Sequence, residues 1–187
     1  MRFGRTLLPV IVLAAAGCMP SLESSEPPDR VYWLEPTEAA STVGVEVHVS
    51  VVPGLDDDRI RVLQPDRRLN YYAGAFWADS LAPLLQSVID RSVNGTAKAD
   101  RSVIVHVLIE RFFAVESGAA TPPEVELAAR LRGGPDHAGA CLVRTSSVAG
   151  STRLRDIVAA HQSIADELAH AVGRFASTLA EGGAVSC

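Results

Sequence analysis

The sequence lacks a second long apolar run, a basic run and an internal repeat. After residue 18 the longest apolar stretch covers 103–109 and is interrupted by His106, whereas a membrane-spanning helix needs about 20 apolar residues. The formal net charge is −5, so we expect no general affinity for nucleic acid or for an anionic lipid surface. What remains is a globular composition, with 48% hydrophobic and 21% charged residues.

Catalytic and metal-binding motifs are also missing. The sequence contains no glycine-flanked serine elbow, no Walker-type glycine loop and no dinucleotide fingerprint. Glu167 and His170 are spaced to share a metal ion on one helix face, but a pair on the helix surface is the favoured interpretation because two ligands do not complete a site. The acidic run 56–58 lacks the alternating ligands of a calcium loop and predicts a solvated turn. We therefore expect no enzymatic activity, no cofactor and no metal.

Two further histidines, His48 and His106, lie in predicted strands. A half-buried histidine with satisfied hydrogen bonds is favoured at each position over a catalytic base.

The N-terminus has the three parts of a secretory signal peptide. Arg2 and Arg5 form a positive region, residues 7–16 are apolar, and small residues precede Cys18. This end resembles the bacterial lipobox, which predicts a signal peptide at 1–17 and acylation of Cys18 by a diacylglycerol and an N-acyl chain. The alternative is an ordinary signal peptide with an incidental cysteine.

Residues 18–30 predict a lipidated N-terminus and flexible tether, because this segment is rich in proline and serine. Fully extended, such a segment reaches roughly 35 Å at about 3.1 Å per residue. Met19 follows the cysteine, which favours the periplasmic face of the outer membrane within the cell envelope. A single folded domain is expected at 31–187.

Hydrophobic periodicity predicts an α+β fold with a mostly antiparallel sheet and two main helices packed on one face. The clearest strand alternates valine with other residues over 43–51. The pattern predicts strands at 31–34, 43–51, 59–63, 69–72, 102–115, 124–132 and 138–148, and helices at 77–93 and 154–179.

Two cysteines remain once Cys18 is acylated. Cys141 and Cys187 would both lie in an oxidising compartment, which favours a disulfide between them. The alternative is a buried free Cys141 and a frayed C-terminus carrying Cys187.

An aromatic segment near the middle of the chain contains Tyr71, Tyr72 and Trp77. It resembles a segment of the ABC-type transport auxiliary lipoprotein family, the group that includes the intermembrane-transport lipoprotein PqiC. The family's strand motif near the start of the domain is matched by residues 32–34. Its tyrosine–tryptophan motif is matched by Leu69, Tyr71, Tyr72, Trp77, Ala78 and Leu81. The resemblance implies a non-enzymatic component of a lipid transport system, with an ATPase, a permease and a periplasmic MCE-domain protein as partners.

The aromatic cluster allows two interpretations. Tyr71, Tyr72, Phe76 and Trp77 would contact a partner if they are exposed, or Trp77 and one tyrosine would close the core. A docking component is the first functional hypothesis. The alternative is a free-standing lipid carrier, which needs an apolar cavity of several hundred Å³. Self-assembly of the chain is left open.

The lipobox yields the first prediction. Replacing Cys18 with serine removes the thiol that accepts the diacylglycerol, so Cys18→Ser should accumulate as an uncleaved, unacylated precursor. Metabolic labelling with a palmitate analogue measures this, with the wild-type chain as control. Undiminished labelling of the variant would contradict the assignment.

Overall fold

The structure is a computed structural model, and it describes residues 29–38, 41, 43–94, 102–134 and 139–183. The expected signal peptide, Cys18, all of the tether before Asp29, and Cys187 lie outside the described residues. The folded domain begins at Arg30, one residue before the predicted boundary.

The described chain contains seven strands and two helices. The strands are β1 (Arg30–Tyr32), β2 (Gly44–Val51), β3 (Arg59–Leu63), β4 (Leu69–Trp77), β5 (Ser102–Val115), β6 (Glu124–Gly133) and β7 (Gly139–Val148), and the helices are α1 (Leu81–Asn94) and α2 (Leu154–Ala180). The α+β class and the two helices are confirmed.

All seven strands form one mixed sheet, and β5 lies at its centre. One side of β5 pairs with β2 along its first half and with β3 near its end, both in parallel. Its other side pairs with β6, and β6 pairs with β7, both in antiparallel orientation. Strand β4 adds to β3, and β1 adds to β4 in parallel. The longest ladders are thus antiparallel, while the N-terminal strands add parallel pairings that hydrophobic alternation did not reveal.

The core fills the space between the sheet and the two helices. The inward side chains of β6 are fully buried, as their alternation predicts. The apolar stripe of α2 is buried against them, including His161 at 0% exposure. Trp77 and Phe112 complete this layer, with ring centroids 6.1 Å apart. Neither described helix has a long enough apolar stretch to cross a membrane.

The segment around Trp77 corrects one predicted boundary. The predicted helix begins at 77, whereas in the structure β4 runs through Trp77 and α1 starts at Leu81. Trp77 and Leu81 are four residues apart and both buried, so their spacing mimics a helical stripe. The chain changes from strand to helix between these two residues. Earlier in β4, Gly74 has φ +63°, a conformation that a glycine adopts without steric cost.

The acidic run 56–58 caps the N-terminus of α1 rather than forming only a solvated turn. The Asp56 carboxylate accepts a hydrogen bond from the backbone N–H of Ala82 at 3.2 Å, and the Asp57 carbonyl accepts one from Leu81 at 3.1 Å. The Asp57 carboxylate also pairs with Arg61. These contacts satisfy N–H groups that every helix leaves open at its N-terminus, and a carboxylate there is favoured by the helix dipole.

Two side-chain amides of α1 close the free edge of β2. Asn94 accepts from the Val45 N–H at 2.9 Å and donates to the Val45 carbonyl at 2.8 Å. Gln86 accepts from the Val49 N–H at 2.7 Å and donates to the Val47 carbonyl. Each amide therefore binds β2 as a neighbouring strand would, and this protects an edge that could otherwise pair with another chain.

A third amide holds the segment that follows β1. Gln162 of α2 accepts from the Glu35 N–H at 2.8 Å and donates to the Glu35 carbonyl at 2.9 Å. Ser92 of α1 accepts from the Thr37 N–H at 2.9 Å. Both helices thus fix the backbone where the tether enters the domain.

Cys141 lies in β7 and is disulfide-bonded. The chain's other two cysteines, Cys18 and Cys187, are outside the described residues. The pairing of Cys141 with Cys187 therefore stays a prediction.

The amide contacts give a prediction for stability. Asn94→Ala removes both partners of the Val45 backbone, and an unsatisfied buried polar group costs about 1–3 kcal/mol. We expect the free energy of unfolding to fall by about that amount, measured by urea titration. Asn70→Ala is the matched control, because Asn70 is exposed and its side chain bonds only the next backbone N–H. Equal losses in the two variants would contradict the sealing role of Asn94.

Candidate functional site

The four aromatic residues predicted as a contact cluster do not form one surface. Trp77 is 3% exposed and belongs to the core, so its assignment as a contact residue is wrong. Alternation along a strand sends successive side chains to opposite faces of the sheet. Tyr71 is 41% exposed, while Tyr72 and Phe76 are half-buried. Tyr71 is therefore the member of the group most available to a partner.

Tyr72 packs against the core at the sheet margin. Burial, and then the negative charge of Glu116, raise the pKa of its phenol well above the usual range. Tyr72 thus stays neutral at physiological pH and acts mainly in packing.

A surface at the tether end of the sheet gathers exposed apolar side chains. The guanidinium of Arg59 stacks over the Tyr71 ring at 4.2 Å from its centroid, within the range of cation–π attraction. Val31 is 58% exposed and pairs in register with Phe76. Leu69 and Trp33 are also exposed. Leu69 lies at the opposite end of β4, so we define the tether-side patch as Val31, Trp33, Tyr71 and Phe76.

The exposure of part of this patch was not predictable from the sequence. Residues 31–34 form an apolar run, and an apolar run predicts burial. Because β1 is the outermost strand on its side of the sheet, only Leu34 of the run is fully buried. The position of the strand in the sheet, which one sequence does not reveal, decides the exposure.

The face of the sheet opposite the helices is polar and charged. Arg111 pairs with Glu126 at 2.8 Å across β5 and β6, and Arg130 pairs with Glu110. His48 and His106 occupy paired register positions and stack with ring centroids 5.1 Å apart. Both histidines are exposed, so the expectation that they are half-buried is wrong. Strand alternation predicted one buried face, but it did not predict that both histidines on the other face are exposed.

His161 is the one described histidine that is fully buried. Its Nδ1 lies 2.9 Å from the Ile157 carbonyl, and because a carbonyl only accepts, Nδ1 carries the proton. Its Nε2 has no hydrogen-bond partner in the described part of the chain. The rings of Trp77 and Phe112 lie edge-on to it, at 5.2 Å and 5.0 Å between centroids. Burial lowers the pKa of His161 to about 4, so it is neutral at pH 7 and part of the core.

The predicted pair Glu167 and His170 lies on the surface of α2. Glu167 accepts a hydrogen bond from the Thr145 hydroxyl of β7. Among the described residues, no three histidine, cysteine or carboxylate side chains come together as a metal site.

Comparison with known proteins identifies the fold alone. No family model matches the sequence, and no curated protein matches it. A solved Xanthomonas campestris protein described under family DUF330 has a TM-score of 0.64 at 19% identity, covering 82% of this chain and 96% of that chain. A second solved structure, of an uncharacterized protein, has a TM-score of 0.64 at 11% identity, covering 79% of this chain and 98% of its own. At these identities the similarity carries the architecture and no activity.

The buried histidine gives a prediction for pH dependence. The folded-state pKa of about 4 lies below the ordinary value of 6.5, so between these values the unfolded chain binds a proton that the folded chain excludes. Stability should therefore fall as the pH drops from 6.5 toward 4, by about 1.4 kcal/mol per pH unit. His161→Phe should abolish this component in urea titrations. His170→Gln, at a surface position, is the control and should keep the wild-type slope. An unchanged slope in His161→Phe would contradict the argument.

Proposed function

We propose that this protein is an outer-membrane-anchored lipoprotein of an MCE/ABC-type lipid transport system and acts there as a non-catalytic docking subunit. The family resemblance of the sequence motivates the transport role. The observation that favours docking over carriage is the packed interior between the sheet and the helices.

A carrier would hold lipid in an apolar cavity between these layers. That space is instead occupied by tightly packed side chains: Trp77, Phe112, Ile164 and Leu168 are all 3% exposed or less. These side chains belong to one continuous buried cluster, so an acyl chain would enter only if the two layers separated, which would cost a large part of the stability of the fold. The buried side chains between the layers therefore favour a contact function on the outside of the domain.

The tether-side patch is the surface that fits a docking role. It lies where the chain leaves the domain toward Cys18, so in an anchored protein the flexible tether would keep it within roughly 35 Å of the membrane. It combines apolar side chains with the Arg59–Tyr71 contact, and tyrosine and arginine are enriched at protein–protein interfaces. Exposed apolar side chains grouped on a soluble domain commonly mark an interaction site.

Crosslinking tests the proposal directly. A photo-reactive phenylalanine placed at Tyr71 should capture the periplasmic MCE-type partner in intact cells, because Tyr71 is the exposed centre of the patch. The same group at Ser163, an exposed position on α2, is the matched control and should not capture it.

The genetic outcome separates docking from independent action. Deleting this gene, the partner gene or both should weaken the outer-membrane permeability barrier to the same degree. Capture of lipid alone from Tyr71 would favour the carrier. A double deletion clearly worse than either single deletion would mean that the two proteins act separately, and the docking role would be wrong.

A further inference from the structure

The two long edges of the sheet are treated differently. The outer edge of β2 is bound by the amides of Gln86 and Asn94. The outer edge of β7 has no such cover: among the described residues, none donates to or accepts from the free backbone groups of 142–148. An edge with open backbone groups along residues 142–148 is a template for another strand.

A groove runs between this open edge and helix α2. Its volume is about 440 Å³, and β7 supplies residues 142–145 as one wall. The other wall is a single stripe of α2, spaced at i, i+3, i+4 and i+7 and formed by Glu167, His170, Ala171 and Arg174. An exposed strand edge beside a helix is the arrangement in which peptide-binding domains accept an extended segment as an added strand.

The small side chain of Ala171 leaves space in the helix wall. Val143 and Thr145 point toward α2, as the bond from Thr145 to Glu167 shows, while Leu142 and Arg144 point to the open face of the sheet. An added strand would therefore direct alternate side chains toward Ala171 and toward the open face. An apolar residue fits the first position.

The charges around the groove select the chemistry of the segment. The side chains of Arg144 and Arg174 form no ion pair or hydrogen bond with any described residue. The one acidic group in the groove, Glu167, is already engaged by Thr145. The chain as a whole is negative. At physiological salt, however, screening limits the distance over which an exposed charge acts to about 8 Å. The arginines nearest the groove therefore decide what it attracts.

A second copy of the chain fits this edge poorly. In a two-fold pairing of β7 centred on the groove, Arg144 would face Arg144 of the other copy, and like charges directly opposite are destabilising. A segment bearing carboxylates meets no such repulsion.

We infer that the groove between β7 and α2 binds an extended, acidic segment of a partner protein by strand addition. The inference rests on the proposed docking role, which supplies the partner, and it names the chemistry of the segment that the partner would present. Backbone hydrogen bonds to the edge of β7 provide the pairing. Apolar side chains of the added strand face Ala171, and its carboxylates, on the open face, lie beside Arg144 and provide the selectivity.

Synthetic peptides test the inference without the partner. The probe is a fluorescein-labelled ten-residue peptide alternating valine with glutamate, and its match alternates valine with lysine. Fluorescence anisotropy with the full mature lipoprotein in detergent micelles should show binding of the glutamate peptide and none of the lysine peptide. The variant Arg144→Glu should bind the glutamate peptide about tenfold more weakly, which corresponds to about 1.4 kcal/mol.

Two controls separate strand addition from general charge attraction. Arg155→Glu reverses an exposed charge on helix α2, about three turns before Glu167, and should leave the affinity unchanged. Two further glutamate peptides carry N-methyl groups on alternate amides, one peptide along one backbone edge and the other along the opposite edge. Only one edge of an added strand faces β7, so one peptide should bind and the other should not. Equal binding of both methylated peptides, or equal weakening by Arg155→Glu, would overturn the inference.

The outcome is distinguishable from failure of the docking role. Peptides that do not bind, together with capture of the MCE-type partner from Tyr71, would refute the groove and leave docking intact. Peptide binding without capture from Tyr71 would refute the tether-side contact and leave the groove.

Discussion

The architecture depends on how β5 shares one of its sides between two partners. Strand β5 has fourteen residues and is longer than either β2 or β3, so these two strands pair with successive parts of it. Between β2 and β3 the chain turns away from β5. This connection contains Asp56 and Asp57, which accept hydrogen bonds from the first N–H groups of α1. Because β3 and β4 continue the sheet only beyond β2, the outer edge of β2 would stand open. Helix α1 closes it with Gln86 and Asn94, and the same helix then packs beside α2 over the core.

Local sequence patterns predicted those parts of the fold that depend on one buried face. The valine alternation in β2, the inward positions of β6 and the stripe of α2 all fall where their periodicity places them. The extent of β4 was wrong, because Trp77 and Leu81 satisfy a helical spacing while belonging to different elements. The parallel pairing of β2 with β5 was not predictable, since register between distant strands leaves no mark on either strand alone. The exposure of Trp33 and the stacking of His48 on His106 were missed for the same reason.

The candidate surfaces were predictable only in part. Tyr71 stood out as an aromatic residue near a strand end, and it is exposed. Trp77 stood out equally and is buried, because the strand continues far enough to turn its ring toward His161. The groove between β7 and α2 has no signature in the sequence: Arg144 and Arg174 are thirty positions apart, and only packing of the helix on the sheet brings them to one groove.

A docking subunit benefits from an interior that does not rearrange. His161 is held neutral among aromatic rings, and its protonated Nδ1 bonds within its own helix, so it fixes the rotation of α2 against Trp77 and Phe112. That rotation in turn sets the direction of Ala171 and Arg174 on the neighbouring face of the helix. The packed core that disfavours lipid carriage therefore also gives the groove a defined shape. Rigid walls would reduce the entropy lost if an extended segment binds there, so in the proposed docking role the core packing and the open edge of β7 would act together.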